Sequence, residues 1–170
     1  DIWRADLKRG PVCVKKALAK LKVAEDWRAP IERNAYEAEW LEIAGSIIPG
    51  AAPEILARDA AQGMFAMEYF EPEQFPCWKD QLLQGRVDVP FAASVGKSLA
   101  HIHSATAQAP EIAAKFPTDD IFYDIRLAPY LEFTAAHHPE LAEALGDLVR
   151  VTGATRTALV HGDVSPKNIL

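Results

Sequence analysis

The chain has 170 residues, 49% of them apolar and 25% charged, enough apolar material for one folded domain or one domain and part of a second. Its formal net charge of −6 argues against a surface built for a nucleic-acid polymer, because neutralising phosphates needs clustered Lys and Arg, although a mononucleotide needs only a few local cations. Cys13 and Cys77 form no C-x-x-C pair, and neither a signal peptide nor a run of ~18 apolar residues is present, so the expectation is a reduced, cytoplasmic protein with no zinc site, disulfide framework or membrane partner.

In chain order, "DIWRADL" alternates apolar and polar residues, "KRGP" supplies turn chemistry, and "VCVKKAL" reads as a second strand. Residues 31–48 place Ile31, Ala35, Ala38, Leu41 and Ile48 near helical spacing, and Pro49-Gly50 stops the helix. "PEILARD" and "GMFAMEYF" read as two more strands joined by "AAQG", and the proline-rich "EPEQFPCW" reads as a linker. Beyond it the pattern turns helical. "WKDQLLQG" is short, whereas "VPFAASVGKSLAHIHSATA" is long, with Phe91, Val95, Leu99 and Ile102 along one face. "DIRLAPYLEFTAAH" and "PELAEALGDLVRVTG" continue as helices, and "TRTALV" reads as a last short strand. The expected architecture is α+β in two lobes with a cleft between them: residues 1–70 strands with one helix, residues 71–170 mostly helices. No internal repeat interrupts it.

The chain closes on "TALVHGDVSPKNIL". An aspartate and an asparagine five apart on a loop, Asp163 and Asn168, can face one ligand from opposite sides of a turn. The Asp can accept a proton from a hydroxyl, and the Asn oxygen can hold a divalent cation. "HGDVSPKN" resembles the kinase catalytic loop H-x-D-x-x-x-x-N, in the HGD form of the aminoglycoside phosphotransferase and choline kinase-like family of small-molecule kinases. "VCVKKAL" with "KLKV" is also similar to methylthioribose kinase and its relatives. The resemblance implies a protein kinase-like fold, a small antiparallel-sheet N-lobe over a mostly helical C-lobe. It also implies ATP and Mg2+ as cofactors and transfer of the γ-phosphoryl group to a hydroxyl of a small molecule. Gly162 replaces the usual arginine, and Ser165 stands where protein kinases carry a lysine, with Lys167 two places later; both favour a small acceptor over a protein.

The remaining assignments come from the same resemblance. "VCVK" matches V-A-I-K, making Lys15 the phosphate-holding lysine, with Lys16 as alternate because successive strand side chains point to opposite faces. The glutamate that aims this lysine is Glu37, with Glu39 as alternate; two residues apart on a helix, they cannot both face the cleft. "FAMEYFEP" falls at the interlobe hinge, where Glu68, Tyr69 and Phe70 would meet the adenine through their backbone, and Met67 or Tyr69 could pack on the purine. Asp163 would orient and deprotonate the acceptor, and Asn168 would hold magnesium.

Other signals carry less. "VGKS" lacks the first glycine of a P-loop, since position 91 is Phe91. His101 and His103 point to different helix faces, and His137-His138 read as a solvated helix end, while His161 would hold its own loop in shape. Trp27, Trp40 and Trp78 read as packing residues. Asp119, Asp120, Asp124 and Arg126 lie where relatives build their acceptor pocket. The family's Gly-rich turn and second metal-binding aspartate have no counterpart here, so the expectation is the middle of a kinase, truncated at both ends, inactive by itself and with apolar surface laid bare. The alternatives are a catalytically silent kinase-like binding module and a plain helical interaction domain. Neither the acceptor nor the oligomeric state is legible.

Overall fold

A computed structural model describes residues 1–20 and 29–170; Leu21 to Val23 of "KLKV" and Trp27 lie outside the described residues. Strands β1 (Ile2–Leu7), β2 (Gly10–Lys16), β3 (Ile55–Asp59) and β4 (Met64–Glu68) form one four-stranded antiparallel sheet in the order β1-β2-β4-β3. The turn between β3 and β4 needs Gly63, whose φ is +59° and whose position leaves Ile31 Cβ only 3.1 Å from where a side chain would begin. By register, Cys13 faces Met67 and Lys15 faces Phe65, so these four share one side of the sheet while Lys16 points to the other.

That side is covered by helix α1 (Arg33–Ile47), which packs on β3, β4 and the long helix Val89–Thr106. Its buried positions are Asn34, Ala38 and Ala44, which differs from the single stripe expected from Ile31 to Ile48: Ala35 is exposed and Leu41 half-buried. The reason is geometric. A helix covered from two sides has no single apolar stripe, and the fully buried Ala38 and Ala44 let its backbone come close to its neighbours. Its start is anchored by Arg33, whose guanidinium donates to the carbonyls of Leu18 (2.7 Å), Ala29 (2.9 Å) and Pro30 (2.7 Å).

After the irregular 69–77 segment come α2 (Trp78–Leu83) and α3 (Val89–Thr106). Asp88 caps α3 by accepting from the Phe91 N–H at 2.9 Å, and the expected inward face holds: Ile102 is buried, with Phe91, Val95 and Leu99 half-buried. "VGKS" sits inside this helix, where no phosphate loop can form. Two short helices follow, α4 (Pro110–Ala113) and α5 (Asp119–Phe122), then a π-helical stretch Tyr123–Glu132, then α6 (Phe133–His137), a 3-10 turn Pro139–Leu141 and α7 (Ala142–Ala154). The π-helix replaces the regular helix expected for "DIRLAPYLEF". Pro129 lies inside it, lacks an N–H and would crowd the carbonyl of the preceding turn, and the wider winding relieves that crowding.

"TRTALV" is not a strand, contrary to the sequence expectation. Its neighbour is the end of α3 rather than another strand: Leu159 N–H donates to Thr106 Oγ1 (3.0 Å), while the same hydroxyl donates to the Ile102 carbonyl (2.8 Å). Thr106 thus tethers the segment that leads into "HGD". The helical part carries many exposed apolar side chains, among them Leu83 and Val87 at 75% and Val89 at 70%. Among the described residues no helix is long and apolar enough to cross a membrane.

Replacing Thr106 with Val keeps the shape and removes the acceptor, leaving a part-buried Leu159 N–H unpaired. The expected loss is about 1–3 kcal/mol in urea unfolding, with backbone exchange at Leu159 accelerated more than elsewhere.

Candidate functional site

Two halves of a site face each other across α1. On the sheet half, Lys15 Nζ donates to Glu37 Oε1, both side chains part-exposed. Glu39, on another face of α1, pairs instead with Lys115 (2.6 Å) and Arg58 (3.3 Å), and the Lys115 hydrogen bond leads in holding its carboxyl below the usual range. So the structure brings Lys15 to Glu37, with Lys16 on the opposite side of the sheet and Glu39 committed elsewhere.

The other half is the loop His161–Asn168, closed by a 3-10 turn at Pro166–Asn168. Gly162 has φ +75°, a conformation that a side chain strains, which gives a backbone reason for glycine where the kinase pattern has arginine. His161 Nδ1 accepts from the Asp163 N–H at 3.2 Å, so its proton sits on Nε2 and the ring braces its own loop. Asn168 Nδ2 donates to the Asp163 carbonyl at 3.0 Å, which ties the ends of the loop together and leaves the Asn168 amide oxygen without a hydrogen-bond partner among the described residues.

Asp163 is flanked by cations. Lys167 Nζ lies 3.2 Å and Arg126 Nη2 3.3 Å from its Oδ2. Burial pushes the Asp163 carboxyl up, but the Lys167 hydrogen bond, the Arg126 and Lys167 charges and the Asn168 amide outweigh it and hold it below the ordinary carboxylate range. Arg126 comes from the π-helical stretch. Of the charged cluster in which the sequence placed it, Asp119 instead forms a forked, exposed pair with Arg156 (2.8–3.2 Å). Two of its members are thus engaged apart, Asp119 on Arg156 and Arg126 on Asp163.

Trp40 joins the halves. Its ring stands edge-on to His161, with centroids 4.7 Å apart and planes at 87°. Burial pushes the His161 imidazole down, as do Lys15 and Arg126, against the opposing pull of Glu37 and Asp163. One imidazole thus feels charges from both the sheet and the helical part.

Of the hinge candidates, Glu68 is exposed, whereas Tyr69 and Phe70 are half-buried. Glu68 ends β4 with its N–H donated to the Glu54 carbonyl (2.9 Å), and it lines a 360 Å³ hollow against the end of α1 and β3. Tyr69 lies under the Arg4 guanidinium (4.9 Å), and Phe70 packs on Phe75 (4.6 Å). Among the described residues no three His, Cys, Asp or Glu side chains gather at metal-ligand spacing. The donors present, the Asp163 carboxylate and the Asn168 amide oxygen, fit a hard cation that takes its other oxygens from water and phosphate.

No protein-family model and no curated protein matches the chain.

The Asp163–Arg126 contact and the Trp40–His161 contact are features that sequence reasoning missed. Neither has a motif, since each depends on how α1 and the π-helix lie over the loop. His161 yields a pH test. A histidine with a folded-state value below its ordinary ~6.5 binds protons better unfolded, so stability falls as pH drops through that value, and the loss ends below the folded value. Urea unfolding between about pH 7 and 5 is expected to show this slope, and His161→Gln to flatten it.

Proposed function

We propose that the chain carries the catalytic centre of a small-molecule phosphotransferase with a protein kinase-like fold, moving the γ-phosphoryl group of ATP to a hydroxyl. The observation that supports this best is the arrangement of the loop. Asn168 is anchored through its NH2 to the Asp163 carbonyl with its oxygen free, while Asp163 presents a carboxylate on the same turn. A Lys15–Glu37 pair stands on the other side of the Trp40–His161 contact.

In this reading Lys15, aimed by Glu37, neutralises the α and β phosphates. Asn168 and Asp163 would hold magnesium through their side-chain oxygens, and the ion would supply positive charge against the phosphates when bound. Asp163 accepts a hydrogen bond from the acceptor hydroxyl and takes its proton as the new O–P bond forms and the bond to ADP breaks. A carboxylate held below the ordinary range is a weak base, which suits a loose transition state in which the proton leaves late. Most of the rate then comes from positioning and charge. The compartment that goes with this reading is the cytoplasm, where MgATP is abundant.

A second reading is favoured by one observation: both cations beside Asp163 contact the same oxygen, Oδ2, which would suit a silent binding module whose carboxylate is permanently engaged.

ADP release with MgATP, measured against a panel of small hydroxyl compounds, separates the two. The expected result is release stimulated by one acceptor and lowered about 100-fold or more by Asp163→Asn. Tight magnesium-dependent ATP binding with no stimulated release supports the silent module instead.

A further inference from the structure

An open groove of about 370 Å³ runs along the outer side of the loop, lined by Lys79, Leu82 and Leu83 of α2 and by Ser165, Pro166 and Lys167 of the loop. Its walls are fixed to one another. Trp78 N–H donates to the Ile169 carbonyl at 2.9 Å, and Cys77 Sγ lies 3.6 Å from the Pro166 carbonyl oxygen. In a chain whose net charge is −6, this groove is lined by two lysines and no carboxylate. Lys79 has no ion-pair partner among the described residues. Ser165 heads the 3-10 turn without capping it, so its hydroxyl is available too.

Lys167 belongs to the groove and to the site at once, since its Nζ contacts Asp163 Oδ2 at 3.2 Å. An ammonium has three donors, so one on Asp163 leaves others for a ligand. An anion bound to a second donor at the usual ~2.9 Å lies at most about 6 Å from the Asp163 oxygen. A molecule with a hydroxyl at Asp163 and an anionic group on Lys167 therefore has the two close together on a short carbon frame. The exposed Leu83 and the half-buried Leu82 and Pro166 offer apolar contact for that frame.

We infer that this groove is an acceptor subsite for an anionic group, and that the phosphate acceptor is a compact hydroxylated carboxylate or phosphate ester held by Lys79, Lys167 and Ser165. The inference rests on the phosphotransferase reading for the word acceptor, while the anion site itself stands on the groove alone. It disfavours polycationic acceptors, which would meet two like charges beside the reacting carboxylate.

Two measurements test it on the whole protein. In the first, inorganic phosphate and then acetate are titrated at constant ionic strength while the amide resonances of Lys79, Leu82, Leu83 and Lys167 are followed. Saturable shifts confined to the groove are expected, weakened about tenfold by Lys79→Gln and restored by Lys79→Arg. In the second, ADP release is compared for neutral, cationic and anionic hydroxyl compounds of matched carbon skeleton, and the anionic class is expected to win through a lower KM that Lys79→Gln raises. Saturable binding with no turnover of any class keeps the anion site and removes the phosphotransferase reading. Turnover of neutral or cationic acceptors without anion binding overturns the inference and leaves that reading standing. Neither binding nor turnover overturns both.

Discussion

Everything at the candidate site depends on one ring contact, Trp40 of α1 edge-on to His161 of the loop. Glu37 and Trp40 are three residues apart, so one face of one helix carries both the carboxylate that holds Lys15 and the ring that braces the loop. A shift of α1 along its axis would move both together. His161 in turn accepts from the Asp163 N–H, and Asn168 closes the loop onto the Asp163 carbonyl. The path from Lys15 to Asn168 runs through side-chain contacts at either end of one turn of α1, with the His161 imidazole at its centre, where burial disfavours the charged ring.

The opposite ends of this path are electrostatically unlike. On the sheet side one lysine has one carboxylate partner. On the loop side one carboxylate has two cationic partners, contributed by the π-helical stretch and by the loop's own 3-10 turn. An arrangement with surplus positive charge around the Asp163 carboxylate favours ligands that bring negative charge, and this is the physical link between the proposed chemistry and the groove beside it.

Local pattern made much of this legible. Four strands with period-two or apolar runs, two amphipathic helices and the "HGDVSPKN" spacing were readable because each is encoded within a dozen residues. Strand alternation raised Lys15 against Lys16, and helical spacing raised Glu37 against Glu39, but only the packing of α1 on the sheet selected a member of each pair. What the sequence hid is tertiary. "TALV" has strand composition yet finds a helix end and a threonine hydroxyl for a partner. "DIRLAPYLEF" has helical periodicity yet winds wide around a proline. Ala38 and Ala44 carry little hydrophobic signal, and yet no side chain of α1 is more deeply buried.

The central claim is that Lys15 and Asn168 act on one and the same bound nucleotide. The direct measurement is a double-mutant cycle, Lys15→Met with Asn168→Ala, read as the calorimetric affinity for ATP with and without magnesium. The account predicts that Lys15→Met weakens binding in both conditions, that Asn168→Ala weakens only the magnesium-dependent part, and that the two effects are strongly non-additive. Additive effects, or ATP binding indifferent to both changes, would contradict it.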